Sequence, residues 1–174
     1  MSKAIRLEDM YPVIQEVLEQ GGEFSLTATG TSMWPTILGG RDQITMIKAP
    51  TPLKQYDLPL YRRPSGQFVL HRILRVEEDG SYTCCGDHQW TLERGLRQEN
   101  MIGLVTEFER KGKHHSVEER GYRFWVRFWA WMLPLRHFLF SIHTLYRSCG
   151  SFFLRKVLRI PRRRGAKSSG STES

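Results

Sequence analysis

Attack of a hydroxyl on a carbonyl requires a base to take its proton, and histidine, with an ordinary pKa near 6.5, suits that task at neutral pH. Ser32 lies in Thr29-Gly30-Thr31-Ser32-Met33-Trp34-Pro35-Thr36. Gly30 admits backbone angles closed to other residues, and Pro35 drives the residue before it towards extended conformations, so the hydroxyl can be held exposed in a turn. Taken alone, such a serine is more commonly a turn residue that satisfies local backbone groups. His71 lies in Phe68-Val69-Leu70-His71-Arg72-Ile73-Leu74-Arg75-Val76, where period-two alternation predicts a mid-strand position on the face of Val69 and Ile73. A hydrogen-bonded core histidine is the competing reading.

The elements that must position these two residues are legible as changes of period. Leu7, Met10, Tyr11, Ile14, Val17 and Leu18 recur at helical spacing, and Gly21-Gly22 offers a stop, so residues 7–20 are expected to form an amphipathic helix. Phe24, Leu26 and Ala28 then alternate with polar neighbours as a half-buried strand does. Further strands are expected at 43–48, 57–62, 67–77, 81–85 and 101–108, separated mostly by Gly or Pro. Pro59 cannot donate to a ladder, which assigns its strand to an edge or a bulge. The polar stretch 111–120 reads as a loop.

The expected fold class is mainly β, a domain over 23–112 preceded by an N-terminal helix in 1–22. A linker follows at 113–121, then amphipathic C-terminal helices over 122–160 and a basic, disordered tail at 161–174. Charge separates these parts. Residues 1–120 hold 15 Lys+Arg and 17 Asp+Glu, whereas 121–174 hold 11 and 1. Eleven of the 20 aromatic residues also follow residue 120. Arginine interleaved with aromatic residues favours an anionic bilayer interface over nucleic acid, and no nucleic-acid module is recognisable. Arg123, Trp125, Arg127, Trp129, Arg136 and Phe138 are the expected membrane-binding residues. A crossing helix needs about 20 predominantly apolar residues, and Pro134, Arg136, His137 and His143 interrupt the best window. Peripheral association, on the cytoplasmic face, is therefore expected rather than a span.

Three cysteines, two of them adjacent at Cys84 and Cys85, do not make a disulfide framework. Together with His88 they lack a second ligand pair for zinc, so no metal or other cofactor is expected. The acidic N-terminus lacks the apolar run of a secretory leader.

Four segments in order carry a family resemblance. Gly30-Thr31-Ser32-Met33-Trp34-Pro35 matches the Gly-x-Ser-Met-x-Pro nucleophile box of the type I signal peptidase clan, and His71-Arg72-Ile73 is similar to the base segment of its endoplasmic-reticulum and sporulation-associated Ser-His form. Gly86-Asp87 with Glu93-Arg94-Gly95 resembles the acidic box, and Ile102-Gly103-Leu104-Val105 the later Ile-Gly-x-Val strand. The resemblance covers about residues 24–108. Arg41-Asp42 and Tyr56-Asp57 stand where that family has Gly-Asp, and Glu stands at the third triad position.

This resemblance implies a signal-peptidase-like antiparallel β fold and a serine endopeptidase of bacterial origin that cleaves a peptide or protein precursor at a membrane surface. Ser32 would be nucleophile and His71 general base, with Glu93 or Asp87 orienting the imidazole. Backbone donors near Thr31 would serve the oxyanion, and Met33 would line a pocket for small residues. The departures leave a second reading, a catalytically decayed module that binds peptide by strand addition.

Overall fold

Leu7, Met10, Ile14 and Leu18 form the inner side of helix α1 (Leu7–Glu19) in the structure, a computed structural model that describes residues 7–135. Helical spacing thus becomes one apolar stripe, and Ile14 and Leu18 bury fully against the sheet below. Strands β1 (Phe24–Thr27), β2 (Gln43–Lys48), β3 (Pro59–Arg62), β4 (Phe68–Leu70) and β8 (Met101–Arg110) form an antiparallel sheet in the order β1-β2-β8-β3-β4. This sheet curls into a half-barrel. A second antiparallel sheet holds β5 (Arg72–Val76), β6 (Tyr82–Cys85) and β7 (Glu93–Leu96) in that order. Strand β9 (Lys113–Ser116) and helix α2 (Arg120–Trp131) complete the unit, which runs to Pro134.

The expected 67–77 strand is in fact two strands in different sheets. β4 pairs with β3 and β5 with β6, and His71 sits at the joint, not in mid-strand. Alternation cannot reveal such a handover, because the period of two continues through the bend. Pro59 heads an interior strand, flanked by β8 and β4, and the pairing with β8 shifts register between Leu60 and Tyr61. The first strand position and the irregularity accommodate the missing N–H.

Two strands were not expected. β7 reads Glu-Arg-Gly-Leu, without alternation, and exists because Leu96 pairs opposite Tyr82 and Glu93 opposite Cys84. Strand β9 replaces the loop and linker expected from residue 111 onwards. It folds back on β8, pairing His115 with Phe108, and the two rings stack at 5.3 Å. Helix α2 belongs to the same compact unit as the β strands, so the domain boundary expected at 122 falls after Pro134. The tail helices beyond 135, and the tail at 161–174, lie outside the described residues.

Two apolar clusters fill the interior. One, including Ile14, Met33, Ile37, Ile44, Met46, Leu60 and Val105, lies under α1 and the half-barrel. The other gathers Tyr61, Val69, Ile73, Tyr82 and Cys84 where the two sheets meet. Each fully buried aliphatic side chain contributes about 1.5–3 kcal/mol.

A buried ion pair accompanies them. Arg72, 2% exposed, donates from Nε to Asp87 Oδ1 at 2.9 Å and from Nη2 to Oδ2 at 2.8 Å, and Asp87 is itself only 5% exposed. The remaining guanidinium nitrogen donates to Tyr122 OH (3.0 Å) and to the Tyr56 carbonyl (3.2 Å). Thr36 Oγ1 donates to Asp87 Oδ2 at 2.5 Å. Removing one partner of such a pair strands the other charge away from water. Asp87→Ala is therefore expected to lose about 3–5 kcal/mol of stability by urea denaturation; a loss under about 1 kcal/mol, the range of an exposed pair, would show that this one is not buried in solution.

Candidate active site

Ser32 follows β1 on a loop that closes on itself. Ala28 N donates to Asp42 O (3.0 Å), Gly40 N to Ala28 O (2.8 Å) and Gly39 N to Gly30 O (3.1 Å), forming a neck between β1 and β2. At Gly39 the neck has no room for a side chain: a Cβ there would lie 2.0 Å from the Gly30 carbonyl oxygen. Fully buried Asp42 accepts from Leu38 N and from Arg41. Burial works to raise its pKa, but the Arg41 and Leu38 hydrogen bonds prevail and hold the carboxyl below its usual range. Asp42 therefore ties the loop shut, and the tip at Thr31–Ser32 is presented as a turn, as its Gly and Pro residues suggest.

A second turn, at the end of β6, backs this tip. His88 N donates to the Ser32 carbonyl at 2.7 Å, and Gln89 N to the Gly86 carbonyl at 2.9 Å. Gly86 is wedged between the two sequence-predicted residues: a Cβ there would stand 2.7 Å from Ser32 O and 3.0 Å from His71 Nε2. The Ser32 backbone and the imidazole thus flank a single missing methyl group, and only glycine lets them approach so closely.

His71 is 2% exposed, and its other ring nitrogen is fully engaged. Nδ1 lies 2.9 Å from Glu93 Oε1 and 3.2 Å from Tyr61 OH. With Nδ1–H donating to the carboxylate, Nε2 carries the lone pair on the side facing Gly86 and Ser32. Glu93 is held by Arg63, whose Nε donates to Oε2 at 2.7 Å and whose Nη2 donates to Oε1. Burial alone would raise the Glu93 pKa, yet Arg63 and His71 bring it below the ordinary glutamate value. Burial, followed by the charge of the Glu93 carboxylate, pushes the Tyr61 hydroxyl well above the ordinary tyrosine range, so it is neutral.

Of the two carboxylates left open by the sequence, Glu93 is the one at His71. Asp87 is committed to Arg72 and Thr36. Ser32, His71, Thr31, Met33, Arg63 and Gln89 line one cleft of about 380 Å³, whose apolar floor includes Ala28, Ile37, Ile44 and Leu60. Cys84 and Cys85 are buried, and burial pushes the Cys84 thiol up to about 12. Among the described residues, no group of three His, Cys, Asp or Glu side chains could hold a metal ion.

Tyr61, Arg63 and Gly86 complete this geometry. Arg63 has no signal in the sequence, since its partner lies 30 residues away on a strand that alternation does not mark. Gly86 was visible only as part of a box, with no indication that it faces Ser32.

The expected membrane residues divide. Trp125 and Trp129 turn inward and stack on each other at 5.0 Å. Trp129 Nε1 donates to the Asp87 carbonyl at 2.8 Å, and Trp125 Nε1 to Thr36 Oγ1 at 3.5 Å. Composition marked these indoles as interfacial, but the phase of α2 against the sheet makes them its docking contacts. Arg123 and Arg127 are exposed. Arg136 and Phe138 lie outside the described residues. No helix among the described residues is long and apolar enough to cross a membrane.

The architecture is thus an antiparallel half-barrel with a second sheet, with Ser32 and His71 lining one cleft and Glu93 in contact with His71. Compared with the models of known protein families the chain matches none, and compared with curated protein sequences it likewise finds no match.

Burial depresses the His71 pKa, against the opposing pull of the Glu93 carboxylate, so the neutral imidazole prevails at neutral pH. The native state then binds this proton less readily than the unfolded chain. Its contribution to stability is complete above about pH 6.5 and falls away as pH drops towards the folded-state value. An NMR titration is expected to put the His71 midpoint below the ordinary histidine value of about 6.5, and Glu93→Gln to lower it further. A midpoint above that value would mean that the carboxylate outweighs burial.

Proposed function

We propose that this protein is a serine endopeptidase of the signal peptidase type, which cleaves a peptide or protein precursor at a membrane surface. The observation that carries this reading is the Glu93–His71 contact through Nδ1, which leaves Nε2 directed towards the Gly86 and Ser32 side of the cleft. An imidazole oriented by a carboxylate and set beside a turn serine is the arrangement that acyl transfer requires.

In this mechanism His71 Nε2 takes the Ser32 hydroxyl proton as Oγ bonds to the scissile carbonyl carbon. The carbonyl π electrons move to oxygen, and peptide N–H groups of the Thr31–Ser32 turn receive the developing charge, each such donor being worth about 3 kcal/mol. Glu93 stabilises the imidazolium through Nδ1–H. Collapse of the tetrahedral intermediate breaks the C–N bond, and Nε2–H delivers its proton to the leaving amine. Water, deprotonated by the same nitrogen, then releases the acyl group and restores Ser32. Cationic Arg63 fixes the carboxylate, and neutral Tyr61 lies against His71 Nδ1. The membrane-surface part of the reading is supported by the basic, aromatic composition after residue 120.

Purified full-length protein is expected to react with an acylating serine probe, and Ser32→Ala and His71→Ala to abolish labelling. Labelling should fall on acidification through the depressed His71 pKa, because only the neutral imidazole accepts the proton. Glu93→Gln should slow labelling far more than Asp87→Asn when both are compared at equal folded fraction. No labelling of the parent would favour the peptide-binding module. Equal labelling of Ser32→Ala would remove Ser32 from the mechanism.

A further inference from the structure

Helix α2 presents two faces. Tyr122, Trp125, Val126 and Trp129 are turned to the β strands, through the contacts with Arg72, Thr36 and Asp87 and the burial of Val126. At 100° per residue, Phe124, Phe128 and Trp131 fall together on the opposite side, as positions i, i+4 and i+7. They are 74%, 42% and 73% exposed. The Phe128 and Trp131 ring centroids are 6.4 Å apart, so these two rings form one apolar surface. Leu92, on the chain leading into β7, shares a cleft wall with Trp131 and carries the apolar surface off the helix.

Exposed Arg120 and Arg127 border this stripe. The two glutamates that precede the helix are engaged elsewhere: Glu118 pairs with Arg123 at 3.2 Å and Glu119 with His115 at 3.6 Å. An aromatic ridge edged by guanidinium groups has a specific counterpart. A peptide partner would seek a groove or an open strand edge, whereas this is the outer side of a helix whose backbone groups are already bonded internally. A bilayer interface takes rings at headgroup depth and offers phosphates to arginine.

We propose that the outward face of α2 is a docking surface for an anionic bilayer, with Phe124, Phe128 and Trp131 entering the headgroup region and Arg120 and Arg127 meeting lipid phosphates. This inference rests on the membrane-surface reading above and assigns the contact to a defined face. It excludes Trp125 and Trp129, which hold the helix on the turn behind Ser32.

The test is flotation of the full chain with phosphatidylcholine vesicles, with and without phosphatidylglycerol, which needs no peptidase activity. Phe124→Ser/Phe128→Ser/Trp131→Ser is expected to weaken binding to the anionic vesicles by about tenfold or more. Arg120→Gln/Arg127→Gln should remove much of the preference for phosphatidylglycerol. If the triple variant melts below the parent, Phe124→Ser and Trp131→Ser singly, at the two most exposed positions, should each lose binding several-fold. A triple variant that floats like the parent overturns the inference and leaves the membrane reading standing on another part of the chain. A parent that does not float overturns both. A parent that dimerises without floating, and becomes monomeric as the triple variant, would assign the ridge to a second copy of the chain.

Discussion

Two full charges taken out of water cost several kcal/mol each, and the Arg72–Asp87 pair offsets that cost with hydrogen bonds drawn from most of the fold. Its partners come from β5, the turn after β6, the loop after Ser32, the segment before β3, and α2. Arg72 is bonded in sequence to His71, and Asp87 to Gly86. The pair therefore sets the backbone on both sides of the point where the imidazole meets the Ser32 turn. Tyr122 and Trp129 seal it from the outside, Tyr122 also lying against the guanidinium at 5.6 Å.

The same pair explains why two carboxylates only a few residues apart in sequence behave differently. Asp87 has both oxygens engaged by Arg72 and Thr36 and is closed in by α2. Glu93 is more open, shared between Arg63 and His71, and keeps an oxygen 2.9 Å from Nδ1. The longer glutamate arm reaches His71 from β7, in the second sheet. Arg63 holds it from the chain just beyond β3 in the first, so the acid at the histidine is clamped across both sheets. The charge of Arg63 keeps that acid ionised while burial keeps the imidazole neutral, the combination in which Nε2 can accept a proton.

Helix α2 joins these two levels. Its inner indoles bond to Asp87 and Thr36, one residue from Gly86 and four residues from Ser32 respectively, while its outer rings stay in water. A helix fastened by its own tryptophans can keep its other face rigid and available. A composition rich in tryptophan and arginine is thus divided between two tasks by helical phase.

The sequence by itself determined the elements whose signal is local. Helical spacing placed α1, alternation placed β1, β2, β6 and β8 within a few residues, and Gly and Pro marked the Ser32 turn. The mainly β class was legible to that extent, whereas the pairing of Ser32 with His71 was implied only by the family resemblance of their two segments. Tertiary structure decided what depends on partners distant in sequence. His71 lies where one strand passes from sheet to sheet, and β7 and β9 owe their existence to pairing with β6 and β8 rather than to any period of their own. The choice between Glu93 and Asp87 turned on Arg63 and Arg72, 30 and 15 residues away, and the inward turn of Trp125 and Trp129 on the sheet they pack against. Propensity and period act over one turn or one strand, whereas burial, ion pairing and helix phase are set only when the chain closes on itself.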